Sequence, residues 1–239
     1  MSIMPSSRVF ARIAAIGFLA VGLTGCFDLT QKISIGRDGS GRYSVAIAAK
    51  GFMGDALKSD KKPAVDLGGN HAQVKTVEVN GKVTQTSTVD FKNLSEMKLS
   101  DEVMSLTVKS TDLFGLGSKH VRFRRTFLVD NARKNQERNN PSMGKDDMDK
   151  EGQEMLNSMF GDHDYVFSVT LPGSIEHIAP LRIGKMTIKP EVSGDIYHGH
   201  TIVWRMPLTT MIAAKMLTFE VDFSAVGSLG DTQTSVKGS

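Results

Sequence analysis

One cysteine in 239 residues leaves this chain nothing with which to build an internal disulfide framework, and no second thiol for a paired-cysteine metal site. No apolar run reaches the roughly 20 residues that a membrane-spanning helix needs. No sign of charge dominates either: 29 lysines and arginines face 26 acids, whereas nucleic-acid binders usually carry a clustered basic excess. Nucleic acid is therefore not expected as a partner. The chain also lacks Gly-x-Ser-x-Gly, His-Glu-x-x-His and Walker-type phosphate-loop motifs. With no catalytic set and no cofactor motif, a non-enzymatic protein is expected.

What is present is concentrated at one end. Arg8 and Arg12 precede an apolar stretch over residues 13–23, broken only by Gly17 and Gly22, and the stretch ends in Leu23-Thr24-Gly25-Cys26. A basic start, a short apolar middle and small residues at the exit are the layout of a secretory signal peptide. Leu-Thr-Gly-Cys resembles a bacterial lipobox. That resemblance implies diacylglycerol transfer to the Cys26 sulfur and cleavage between Gly25 and Cys26, the thiol being the nucleophile. Two acyl chains, at about 0.8 kcal/mol per buried methylene, hold a protein on a membrane without help from its folded part. Loss of residues 1–25 removes Arg8 and Arg12 and no acid, so the remaining net charge is +1.

Beyond Cys26 the sequence reads mainly as strands. Ile33 and Ile35 alternate before a Gly36-Arg37-Asp38-Gly39-Ser40-Gly41 turn, and Tyr43, Val45 and Ile47 alternate after it. A strand, not a helix, follows those glycines, so they form a turn and not a phosphate cradle. Residues 74–79 and 83–91 form a second hairpin around Asn80-Gly81. A three-residue loop, which sets Val79 opposite Val83, keeps apolar faces together and is the expected form. Asn93 to Met97 reads as a short capped helix. Further strands run through Met104-Leu106-Val108, Val121-Phe123-Phe127, Tyr165-Phe167-Val169-Leu171, Met186-Ile188, Ile202-Trp204-Met206 and Leu217-Phe219-Val221-Phe223. About nine strands, two to four helices and no strand–helix alternation predict an α+β fold, an antiparallel twisted sheet with a few helices on one face. The expected organisation is a signal peptide over 1–25, a single domain over 26–224, and a disordered tail over 225–239.

Two segments carry more apolar surface than their context explains. Leu113, Phe114 and Leu116 sit in a loop, and Met155, Met159 and Phe160 recur at helical spacing after a long polar excursion. Each either covers the core or faces an amphiphilic ligand such as a lipid or glycolipid, or another envelope protein. Arg122 and Arg124 share one strand face, in reach of lipid phosphates or of solvent, while Arg125 points the other way and needs an acidic partner if that face is buried. His198 and His200, with Asp195 nearby, are the candidate ligands for a metal-dependent hydrolase, set against a solvated bend. Asp162-His163-Asp164 reads as a polar break between a helix and a strand.

The lipobox leading straight into a strand, the Asp38-Gly39-Ser40-Gly41 turn, the long middle and the closing Trp204 strand resemble the LppM-type bacterial lipoproteins over most of residues 26–224. The resemblance implies an α+β domain similar to lipid-transport folds and a role in binding membrane lipids or glycolipids, with no catalytic residue to carry over. By the enterobacterial sorting pattern, Phe27 after the lipidated cysteine is not the retaining aspartate. Where the source has two membranes, the expected location is the outer membrane, with the domain in the periplasm.

Overall fold

The computed structural model describes residues 27–59, 72–99, 102–111, 117–128, 160–195 and 198–236. Period-2 alternation becomes strand nearly wherever it occurs. Strands β1 (Phe27–Ile35), β2 (Gly41–Lys50), β3 (Gln73–Val79), β4 (Lys82–Phe91), β5 (Lys98–Leu99), β6 (Glu102–Thr111) and β7 (Lys119–Leu128) fill the first half. Then follow β8 (Asp164–Leu171), β9 (Ser174–Ile178), β10 (Leu181–Ile183), β11 (Met186–Ile188), β12 (Glu191–Asp195), β13 (Gly199–Pro207), β14 (Met216–Ala225), β15 (Thr232–Gln233) and β16 (Ser235–Val236). Helices among the described residues are α1 (Gly51–Ser59), α2 (Leu208–Ala213) and one 3₁₀ turn (Leu94–Glu96).

Two sheets face each other. One has seven strands in the order β12-β13-β8-β1-β2-β4-β3, and the other has five in the order β15-β6-β7-β14-β9. The seven-stranded sheet is mixed: β1 lies parallel to β8, with Leu29 beside Tyr165, while its other neighbours pair antiparallel. The expected α+β fold, with helices covering one face of an antiparallel sheet, is therefore corrected to a mostly-β fold of two packed sheets. Alternation shows that one strand face is buried but not what buries it. Here the cover is supplied by the inner faces of β6, β7 and β14. Phe219 from the five-stranded sheet meets Phe167 at 4.6 Å and Trp204 at 5.2 Å from the seven-stranded one, and Phe167 and Trp204 stack at 5.6 Å. All three rings are buried.

The chain turns a corner between the sheets after β8, at Pro172-Gly173. Gly173 has φ +86°, and a Cβ there would lie 2.0 Å from the Ser224 carbonyl oxygen, so both conformation and space demand glycine. The β3–β4 hairpin also departs from expectation. Val79 pairs with Lys82 across a two-residue Asn80-Gly81 turn in which both φ values are positive, 50° and 72°. Such a turn matches the natural twist of a hairpin. It outweighs the apolar matching of Val79 with Val83, and Val79 is left exposed. The Asn93 cap is present, its side-chain oxygen accepting from the Ser95 amide at 2.9 Å.

Residues 225–236, given no core pattern in the sequence, run back along the five-stranded sheet. Leu229 and Thr234 are buried, β15 pairs with β6, and Thr234 exchanges hydrogen bonds with the Met104 backbone. No helix among the described residues is long and apolar enough to cross a membrane.

Candidate functional site

Strand β1 begins at Phe27, the residue after Cys26. Its side chains alternate strictly, so Phe27, Leu29 and Gln31 face the second sheet while Asp28, Thr30 and Lys32 face outward. The start of β1 is fastened to its neighbours by Asp28. Lys82 on β4 donates to its carboxylate at 2.5 Å, the Asp164 amide donates at 3.3 Å, and the His163 ring lies 3.6 Å away. Burial alone raises this carboxyl, and those donors more than offset it, leaving its pKa below the ordinary aspartate value. On the inner side, Phe27 meets Phe160 edge to face at 6.0 Å.

Outward residues of β1, β8 and β13 line a half-open groove of about 450 Å³ on the seven-stranded sheet. Thr30, Ser168 and Thr201 supply hydroxyls, Val166 and Val203 a strip of apolar floor, and Asp28, Lys32, Asp164 and Arg205 the charges. Arg205 donates to Asp164 at 2.9 Å, and the Thr170 and Thr201 hydroxyls are 2.8 Å apart. The lining contains no histidine and no cysteine. Hydroxyls flanked by charges of both signs can hydrogen-bond the polar atoms of a headgroup or sugar. The sequence carries the signal as Asp-x-Thr-x-Lys on β1, Asp-x-Val-x-Ser on β8 and Thr-x-Val-x-Arg on β13. These become one surface only when the strands are known to be neighbours.

Of the residues singled out from sequence, Gly25, Cys26, Leu113, Phe114, Leu116, Met155 and Met159 lie outside the described residues. Phe160 is half-buried and packs on Phe27. The histidine pair does not converge. His198 is exposed and turned to Asp195 at 3.0 Å, while His200 bonds the Gly173 carbonyl at 2.7 Å. Among the described residues no three His, Cys, Asp or Glu side chains are grouped to hold a metal ion. His163, from the Asp162-His163-Asp164 break, sits between Phe160 and Leu208, its amide donating to the first and its carbonyl accepting from the second.

The arginine triplet divides as its alternation requires. Arg122 faces outward and donates to Asp222 at 2.8 and 3.1 Å, with Glu220 at 3.1 Å. Arg124 shares that face, 4.0 Å from Glu220. The Arg122 hydrogen bonds hold the Asp222 carboxyl down at about 2, against a burial penalty, with Lys109 helping at 2.7 Å. Arg125 faces inward and is 0% exposed. It donates to Glu102 on β6 at 2.5 Å, to the Tyr165 hydroxyl at 2.7 Å and to the Gln31 side-chain amide oxygen, and its guanidinium lies 4.2 Å from the Phe167 ring centre. Tyr43 completes the cluster by donating to Glu102 at 2.6 Å. Burial would favour a neutral arginine, but Glu102 and the two tyrosines hold it charged. The same burial pushes the Tyr43 hydroxyl well above its ordinary pKa. This network joins β1, β2 and β8 of one sheet to β6 and β7 of the other, behind the groove floor.

No protein-family model and no curated protein matches the chain. Among solved structures, the NMR structure of the folded domain of LppM from Mycobacterium tuberculosis is similar at 12% identity. It covers 84% of this chain and 92% of that one with a TM-score of 0.36, a likeness too distant to carry an argument about fold or function.

Proposed function

We propose that this protein is a non-enzymatic lipoprotein of the bacterial cell envelope, anchored by lipid on Cys26, whose folded domain binds the polar part of an amphiphile. The observation that carries the reading is the absence of a spacer: β1, in the middle of the seven-stranded sheet, begins one residue after the cysteine of Leu23-Thr24-Gly25-Cys26. Processing at Gly25 therefore leaves a domain whose own framework strand carries the anchor. Asp28, which lines the groove, is then two residues from the lipid. In a cell with two membranes the proposed site is the outer membrane, with the domain in the periplasm.

Metabolic labelling with an alkyne fatty acid tests the anchor. Wild type takes up label and fractionates with membranes, and Cys26→Ser does neither; equal labelling of both forms contradicts the proposal. The ligand is tested by exposing the full chain to total envelope lipid, repurifying it and measuring lipid bound beyond the anchor. Val166→Arg, which fills the groove floor from the outer face, is expected to abolish a stoichiometric lipid that wild type retains. Wild type that retains none removes the amphiphile from the proposal.

A second reading, an interaction module for another envelope protein, is supported by the open edge of β12, all five residues of which are exposed. An unpaired edge accepts an added strand. Replacing Ser193 by proline blocks that pairing and separates the two readings.

A further inference from the structure

The register brings several strand ends together beside the anchor. Phe27 on β1 lies opposite Ala49 on β2, Ala49 opposite Val83 on β4, Lys50 opposite Lys82, and Lys82 opposite Val79 on β3. With neighbouring strands about 4.8 Å apart, the row from Phe27 to Val79 spans about 14 Å. This row exposes large apolar side chains: Phe52, just past β2, is 69% exposed and Val79 is 61% exposed. They bracket the sheet end from its two sides. Helix α1, which carries Phe52, leans on the inner face, where Gln85 donates to the Leu57 carbonyl, whereas Val79 shares the outer face with Lys82. Lys82 holds Asp28 and Lys58 holds Glu78, while Lys50 has no ion-pair partner among the described residues.

We propose that this end of the seven-stranded sheet is a membrane footprint, in which Phe52 and Val79 enter the interfacial layer of the bilayer that holds Cys26, and Lys50 meets anionic headgroups. The proposal rests on the reading of Cys26 as the lipid anchor. Scattered exposed hydrophobes are ordinary on a soluble surface. Here, however, one peptide step of about 3.8 Å separates the lipidated residue from β1, so the sheet end cannot stand clear of the bilayer. A bilayer's polar zone is about 5–7 Å deep on each side, enough to receive a phenylalanine ring and a valine while the sheet stays in water. Lysine at that level is attracted by anionic lipid. The other end of β1, at the Arg37 turn, is about 26 Å away along the strand. Val226, 62% exposed, stands at that far end, where the Ser228 amide bonds the Arg37 carbonyl at 3.1 Å.

The test uses the full chain made in a bacterium that lipidates it. Its one thiol is then occupied, so a cysteine introduced by F52C, V79C or V226C can be labelled alone with an environment-sensitive dye. All three positions are exposed, which leaves the core untouched. Each protein is reconstituted into vesicles of phosphatidylethanolamine and phosphatidylglycerol that include bromine-chain lipid. Dyes at 52 and 79 are expected to shift to the blue and lose emission to bromine, while the dye at 226 keeps its spectrum in water. Adding Lys50→Glu to F52C should weaken both effects on these anionic vesicles. Water-like spectra at all three positions, on vesicles that hold the protein, overturn the footprint and leave the anchor standing. Shifts that appear only after an envelope protein extract is added assign the row to a protein partner and also overturn it. Protein without lipid mass on Cys26 does not float with the vesicles, and that overturns the anchor together with the footprint that depends on it.

Discussion

Arg125 on β7 donates through Nε to Glu102 on β6 at 2.5 Å, and the pair is closed between the two sheets with Tyr43, Tyr165 and Gln31 as its remaining partners. A buried pair of this kind contributes little net stability against an apolar replacement, but removing one member strands the other. Arg125→Ala should therefore cost about 3–5 kcal/mol in chemical denaturation. Arg125→Met combined with Glu102→Met, with both tyrosines changed to phenylalanine and with Gln31→Leu, because the buried Gln31 oxygen otherwise loses both of its donors, should recover most of that loss. A single Arg125→Ala that melts like wild type would show that the network does not form.

Acid should loosen the five-stranded sheet in a defined window. Asp222 is a depressed carboxyl, at about 2 against an ordinary aspartate value of 3.8. Its contribution is complete above pH 4, falls as pH drops from about 4 to about 2, and is gone below that. The shift corresponds to about 2 kcal/mol for a side chain mostly out of solvent. Asp222→Asn should remove that part of the pH dependence between 4 and 2, read as a shallower slope of Tm against pH. An unchanged slope would place the acid sensitivity elsewhere.

Two glycines with positive φ should respond differently to alanine. At Gly81, φ is +72° and nothing lies within 4 Å of an added Cβ, so Gly81→Ala should cost about 1–2 kcal/mol from backbone strain alone. At Gly173 the added carbon collides with Ser224, and Gly173→Ala should prevent accumulation of soluble folded protein. Similar melting temperatures for the two variants would contradict the tight corner between the sheets.

How much of this was legible in the sequence depends on the range of the interaction. Tyr165, Phe167, Val169 and Leu171 alternate, and all four are buried on one face of β8. The inward Arg125 called for an acid, and Glu102 is that acid. Both inferences need only the two-residue period and the cost of an unpaired buried charge. The second layer was not legible, because burial of one face looks the same under helices or under another sheet. Nor was the β1–β8 pairing, which joins Leu29 to Tyr165 across most of the chain. The groove was hidden for the same reason: Thr30, Ser168 and Thr201 are unremarkable until their strands are adjacent. Phe160, at the end of the segment expected either to cover the core or to face a ligand, packs on Phe27.

The most direct test of the account is the intact mass of the full chain extracted from the envelope of a bacterium that expresses it. The predicted species begins at Cys26 and carries a diacylglyceryl group on that residue. A chain that retains residues 1–25, or one cleaved elsewhere with an unmodified Cys26, contradicts the lipoprotein reading and everything proposed for the sheet end beside it.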